Sequence, residues 1–127
     1  MMLTKVLKDS FADIDIIYKN TQFDIDNLDL LELFLQAKQL EGCSKKTLRY
    51  YHSTIDKMLI KIDKKIEDIQ TADLRNYLNE YRYSSNVSKT TMDNIRRILS
   101  SFFTWLEQED YILKNPVKRI KKGKSSS

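Results

Sequence analysis

Two short segments place hydroxyl and cationic side chains where a phosphate can be held. The first is Ser44-Lys45-Lys46-Thr47, followed by Arg49 and Ser53. The second is Ser88-Lys89-Thr90-Thr91, followed by Asn94, Arg96 and Arg97. In each, a helix-capping serine is followed at once by Lys and Thr, with Arg one or two turns later. A helix start attracts anions through its free N–H groups and partial positive charge. Cations in that same turn cost the helix roughly 0.3–1 kcal/mol each at low salt, so their presence there suits a polyanionic partner. Side chains further along can reach base edges or more phosphates. A solvated Lys-rich surface uses the same residue types, and these segments alone do not decide between the two.

Charge distribution adds to the case. The net charge is +4, but residues 1–43 hold 4 Lys against 8 Asp/Glu, whereas residues 44–127 hold 18 Lys/Arg against 10 Asp/Glu. From Lys114 onward there are six basic residues and no acid. A basic second part behind an acidic arm points to a polyanion as partner.

Other chemistry finds little support. The 7 tyrosines sit at core spacing or in loops, and the 1 histidine, His52, reads as a helix-surface residue. Glu107 and Glu109 point to different faces of a helix. No phosphate-binding glycine loop, metal-spaced carboxylate set or Ser-His-Asp arrangement is present, so neither a cofactor nor a metal is expected. The 1 cysteine, Cys43, rules out an intramolecular disulfide and a cysteine-cluster zinc site. No apolar run approaches the ~18–20 residues of a membrane span, and Met1 to Lys5 lacks a secretory stretch. A cytoplasmic chain without membrane partners is expected.

Helices must position the basic segments, because 2 glycines and 1 proline leave few turns for an all-β fold. Residues 1–26 carry partial helical spacing at Val6, Leu7, Phe11, Ile14 and Tyr18, enough for an extra N-terminal helix. A firm helix is expected over Asn27–Glu41, with Leu30, Leu31, Phe34, Ala37 and Leu40 on its buried face, Asp26 or Asn27 as cap and Gly42 as terminator. Ser44 starts a second, to about Ile60 or Ile62, with Leu48, Tyr51, Ile55, Met58, Leu59 and Ile62 inward and Lys57 on the polar face. Residues 63–70 form a linker in which Ile66 and Ile69 tuck inward. Thr71 caps a third helix, about Ala72–Arg82, with Leu74, Tyr77, Leu78 and Tyr81 as its stripe. After a polar loop at 83–87, Ser88 caps a fourth, Lys89–Glu109, built on Met92, Ile95, Leu99, Phe102 and Leu106. Phe102, Phe103 and Trp105 offer base-stacking surface, but their spacing with Ile98 and Leu106 places them in the core or on a surface awaiting another domain. Pro116 ends the helical region. The outcome is an all-α, small four-helix bundle.

From residue 28 to residue 116 the sequence resembles the N-terminal core-binding domain of the tyrosine recombinase, or phage integrase, family, a SAM-like helical bundle. Gly42-Cys43-Ser44-Lys45-Lys46-Thr47 with Tyr50 or Tyr51 is similar to the entry to that family's second helix. Thr71 to Leu78 resembles its third. Ser88-Lys89-Thr90-Thr91, Ile95 to Leu99 and Phe102-Phe103-x-Trp105 resemble its long fourth. Tyr111 to Pro116 resembles its Ile-x-x-Asn-Pro exit, with Asp110 where the family usually has Gly.

The resemblance implies a domain, residues 27–116, that clamps one face of double-stranded DNA at a recombination core site. Residues 117–127 would be a basic linker, and a catalytic domain beyond residue 127 would supply the attacking tyrosine. It also implies DNA contacts at Lys45, Lys46, Thr47, Arg49, Ser53, Lys89, Thr90, Asn94, Arg96 and Arg97, continued by Lys118, Arg119, Lys121 and Lys122. Other recombinase protomers become partners on DNA, whereas the chain alone is expected to be monomeric and without enzymatic activity. A helical protein–protein adaptor remains the main alternative, and a helix-turn-helix regulator ranks third because its two basic helices would be consecutive.

Overall fold

A computed structural model describes residues 25–120. The suggested N-terminal helix therefore lies outside the described residues up to Phe23 and Asp24. Four α-helices occupy the described region: α1 (Asn27–Leu40), α2 (Lys45–Ile62), α3 (Thr71–Ser85) and α4 (Lys89–Gln108), with a 3-10 turn at Ile66–Asp68. Among the described residues there is no strand, as the glycine and proline counts led one to expect.

Side-chain chemistry fixes where each helix begins. Asp26 accepts the Asp29 N–H at 3.0 Å and caps α1. Asn27 instead clamps the α2–α3 connection, donating to the Lys64 carbonyl at 2.7 Å and accepting from the Ile66 N–H at 2.9 Å. Ser44 and Ser88 cap α2 and α4 as expected. Thr71 does not cap α3. The Asp73 carboxylate takes the Gln70 N–H at 2.9 Å, so Thr71 becomes the first helical residue. Its hydroxyl is then free to donate to the Pro116 carbonyl at 2.7 Å. The Gln70 N–H, with Lys64 second, holds the Asp73 carboxyl below its ordinary value.

Helix ends follow a second rule. After α1, Gly42 has φ +99°, and the Gly42 and Cys43 N–H groups bond back to the Gln39 and Lys38 carbonyls. After α4, Asp110 has φ 64°, and the Asp110 and Tyr111 N–H groups bond back to Glu107 and Leu106. These are two copies of one left-handed termination that favours glycine. Asp63 and Asn86, at φ 54° and 52°, end α2 and α3; short polar side chains tolerate that region best after glycine. Asn86 lets α3 run on through Tyr83, Ser84 and Ser85, which the sequence reading assigned to a loop.

Packing is antiparallel between neighbours, since Asn27 meets the end of α2 and Thr71 meets the chain beyond α4. The core is built from Leu30, Leu31 and Phe34 of α1, Ile55, Met58 and Leu59 of α2, Leu74 and Tyr77 of α3, and the Ile95 to Leu106 stripe of α4. Ile66 and Ile69 are buried as expected. Leu40 is not: it is 90% exposed, because it lies half a turn round the helix from buried Leu31. Phe34 lies at the centre, its ring 6.1 Å from Tyr51, 5.2 Å from Phe102 and 5.6 Å from Trp105. Phe102 and Phe103 are fully enclosed and Trp105 is half-buried, so the aromatics of α4 are core and not a base-stacking platform.

The exit segment is packed down. Ile112, Asn115, Pro116 and Val117 are buried and Ile120 is half-buried. Asn115 accepts the Val117 N–H at 2.9 Å and donates to the Thr104 hydroxyl at 3.2 Å.

Phe34→Ala should destabilise the domain by about 3–5 kcal/mol in urea unfolding, whereas Leu40→Ala should stay within about 0.5 kcal/mol. Asp110→Gly should raise stability by up to about 1 kcal/mol by relieving the left-handed backbone; a loss of stability would mean the Asp110 side chain contributes more than its backbone costs.

Candidate nucleic-acid interface

Each basic helix start is a repeated device. Ser44 Oγ accepts the Thr47 N–H at 3.2 Å and donates to the Thr47 hydroxyl at 3.1 Å; Ser88 does the same to Thr91 at 3.1 Å and 3.1 Å. The caps occupy one N–H each, and the remaining first-turn N–H groups have no intrahelical acceptor. The first turns of α1 and α3 contain Asp29 and Asp73, as the helix dipole favours, whereas those of α2 and α4 contain no acid.

Along α2, Lys45, Lys46, Arg49 and Ser53 are exposed, while Thr47 is half-buried. On α4, Lys89, Thr90 and Arg97 are exposed, and Asn94 and Arg96 are half-buried. Arg96 leans along its own helix, 4.0 Å from the Asp93 carboxylate, with its Nε enclosed and unpartnered. Lys45, Lys46, Arg49, Lys57, Lys89 and Arg97 form no ion pair among the described residues. Elsewhere Lys38 pairs with Glu41, Lys61 with Glu80 and Lys64 with Asp73, whereas Arg75, Arg82, Lys114 and Arg119 form no ion pair among the described residues. Six of the ten cations without an ion pair among the described residues thus lie on α2 and on the first half of α4.

The two helix starts are not side by side. The middle of α2 borders the start of α4, where Tyr50, Ser53 and Lys57 of α2 meet Thr91 of α4 around a notch also lined by Tyr77 and Tyr81 of α3. Lys45 lies about 12 Å further along the α2 axis than Ser53. The result is a stripe that runs down α2 and passes onto α4. Lys118 and Arg119 do not join it. Lys118 pairs with Glu107 at 3.3 Å in the last turn of α4, about 27 Å of helix from Lys89. The Arg119 carbonyl accepts from Arg75 of α3 at 3.2 Å. Lys121 and Lys122 lie outside the described residues.

Lys57, Tyr50 and Tyr81 border the stripe at the notch without standing among the contacts expected from the sequence. Lys57 falls in register with Lys46, Tyr50 and Ser53, a signal available in the sequence. The tyrosines of α3 share the spacing of its core stripe, which hides their edge position. Tyr77 is 7% exposed, and burial, with Tyr81 second, pushes its phenol up to about 12, so it remains a proton donor at neutral pH. Among the described residues no group of His, Cys, Asp and Glu is arranged to hold a metal, and no helix is long and apolar enough to cross a membrane.

Residues 30–113 match the model of the phage integrase N-terminal SAM-like domain family. The chain belongs to that family. The all-α, SAM-like architecture expected from the sequence is the one observed. A tyrosine recombinase of Thermosipho africanus (strain TCF52B) is 30% identical over 82 residues, which is 61% of this chain and 29% of the relative. The chain therefore spans less than a third of that relative's length. Among solved structures, the integrase of mycobacterium phage Brujita superposes with a TM-score of 0.67 at 22% identity, over 76% of this chain and 33% of its own. A lambda integrase (75–356) dimer bound to a COC′ core site superposes with a TM-score of 0.64 at 26% identity, over 80% of this chain and 37% of its own.

Lys45→Glu and Lys89→Glu should each stabilise the domain by about 0.3–1 kcal/mol at low salt, an increment that shrinks as salt is added. Thermal melts at two ionic strengths measure it, and destabilisation would show that these lysines serve the fold.

Proposed function

We propose that this domain clamps duplex DNA at a recombination core site, as the non-catalytic DNA-binding part of a tyrosine recombinase. The observation that carries this reading is the stripe of unpaired cations along α2 and the first half of α4, at two helix starts from which acids are missing. A fold gains nothing from that arrangement. A partner with regularly spaced anions does, because each neutralised phosphate releases counterions. The superposed lambda integrase is a dimer on a core site, which supports duplex DNA and further protomers as partners.

In this reading Lys45, Lys46, Arg49, Ser53, Lys89, Thr90, Asn94 and Arg97 meet backbone or bases. Thr47 acts mainly by shaping its cap, and Arg96 must leave Asp93 to take part. Lys118, Arg119, Lys121 and Lys122 belong to a separate contact, where the chain leaves the bundle. Strand cleavage belongs to a catalytic domain outside residues 1–127. The isolated chain is monomeric and binds weakly, with little sequence preference, since it supplies only part of the phosphate contacts of a whole recombinase.

Anisotropy of a labelled ~30-bp duplex tests the reading. Binding should weaken steeply with salt, and a variant with Lys45, Lys46, Lys89 and Arg97 changed to Ala should lose most of it while keeping its helicity by circular dichroism. If both proteins stay folded and neither binds at low salt, the clamp is wrong and a protein–protein adaptor takes its place.

A further inference from the structure

The notch between α2, α3 and α4 has a composition that the packing of the bundle does not require. Tyr50, Ser53 and Lys57 come from α2, Tyr77 and Tyr81 from α3, and Thr91 from α4. No carboxylate lines it: Glu80, the nearest acid on α3 to Tyr81, is held by Lys61 at 3.2 Å. Lys57 has no ion-pair partner among the described residues. The hydroxyls of Tyr50, Ser53, Tyr77 and Tyr81 make no hydrogen bond to another described residue. Tyr77 is 93% buried (7% exposed), its ring in the core and its hydroxyl open to the notch. Several hydroxyls and one ammonium thus converge on a space with no carboxylate in its lining.

The cavity volume, ≈ 70 Å³, limits what enters. It is several times the ~10–15 Å³ that admits one water, room for a phosphoryl group. The notch lies where the cationic stripe passes from α2 to α4. We infer that this notch seats one backbone phosphodiester of the bound duplex, with Lys57 as the charge and the tyrosines of α3 as fixed donors. The inference rests on the clamp reading and gives α3, which bears no basic helix start, a direct part in it. A phosphate held from three helices sets the register of the duplex across the bundle, which contacts from flexible lysines alone do not.

Lys57→Met and Tyr77→Phe, each checked for helicity, test it by duplex anisotropy over a salt series. Lys57→Met should reduce the slope of log affinity against log salt by about one. Tyr77→Phe keeps the ring in the core and should weaken binding about tenfold with the slope unchanged. If the wild-type chain binds duplex and both variants match it in affinity and slope, the seat is refuted while the clamp stands. If the wild-type chain does not bind duplex, the clamp fails and takes the phosphodiester with it. Amide NMR with inorganic phosphate, at matched ionic strength, checks the notch without DNA. Saturable shifts at Tyr77, Tyr81 and Thr91 that vanish in Lys57→Met are expected, and shifts only at other sites would overturn the proposal.

Discussion

The bundle depends on one buried ring. Phe34 brings α1 against Tyr51 of α2 and against Phe102 and Trp105 of α4, with Lys38 lying 5.7 Å over its outer face. Pairs of this kind contribute about 0.5–1.5 kcal/mol each beyond the area they bury. Their geometry matters as much as their energy: edge-on contacts to α4 and a stacked contact to α2 fix how the helices lie around α1. The basic stripe crosses from α2 to α4, so its continuity is set by a residue that touches none of it.

Charge placement divides the helices into two kinds. α1 and α3 carry Asp29 and Asp73 in their first turns and gain from the dipole. Both use those ends inside the protein, Asp73 also binding Lys64 at 3.0 Å. α2 and α4 forgo that gain, keeping serine caps for structure and leaving lysines unpaired. The fold thus bears a small instability at the two positions where a polyanion would relieve it, an arrangement in which binding and stability are linked.

The sequence disclosed most of this because the relevant signals are local. Serine caps, the three- and four-residue apolar steps of α2 and α4, and the basic residues after each cap all lie within one or two turns of each other. What it hid depends on contacts between distant segments. Nothing near Thr71 says that its hydroxyl is used by Pro116. The tyrosines of α3 have the spacing of core residues, and only the approach of Ser53 and Thr91 turns their hydroxyls into the lining of a notch. Asp110 is the instructive middle case. Its departure from the family's glycine was visible, but its meaning needed the left-handed φ at the end of α4.

The exit segment completes the physical picture. Thr71 and Arg75 of α3 hold the Pro116 and Arg119 carbonyls, and Thr104 of α4 holds Asn115. The chain therefore leaves the bundle in a direction set by both helices. α3 also lines the notch that borders the basic stripe, so one helix spans the distance between the cationic face and the point of departure. Between the two, Leu74 and Tyr77 anchor α3 in the core. In the proposed clamp, the angle between what holds the duplex and what leads away from it has to be reproducible, and α3, which lines the notch and with α4 holds the exit segment, contributes to fixing it.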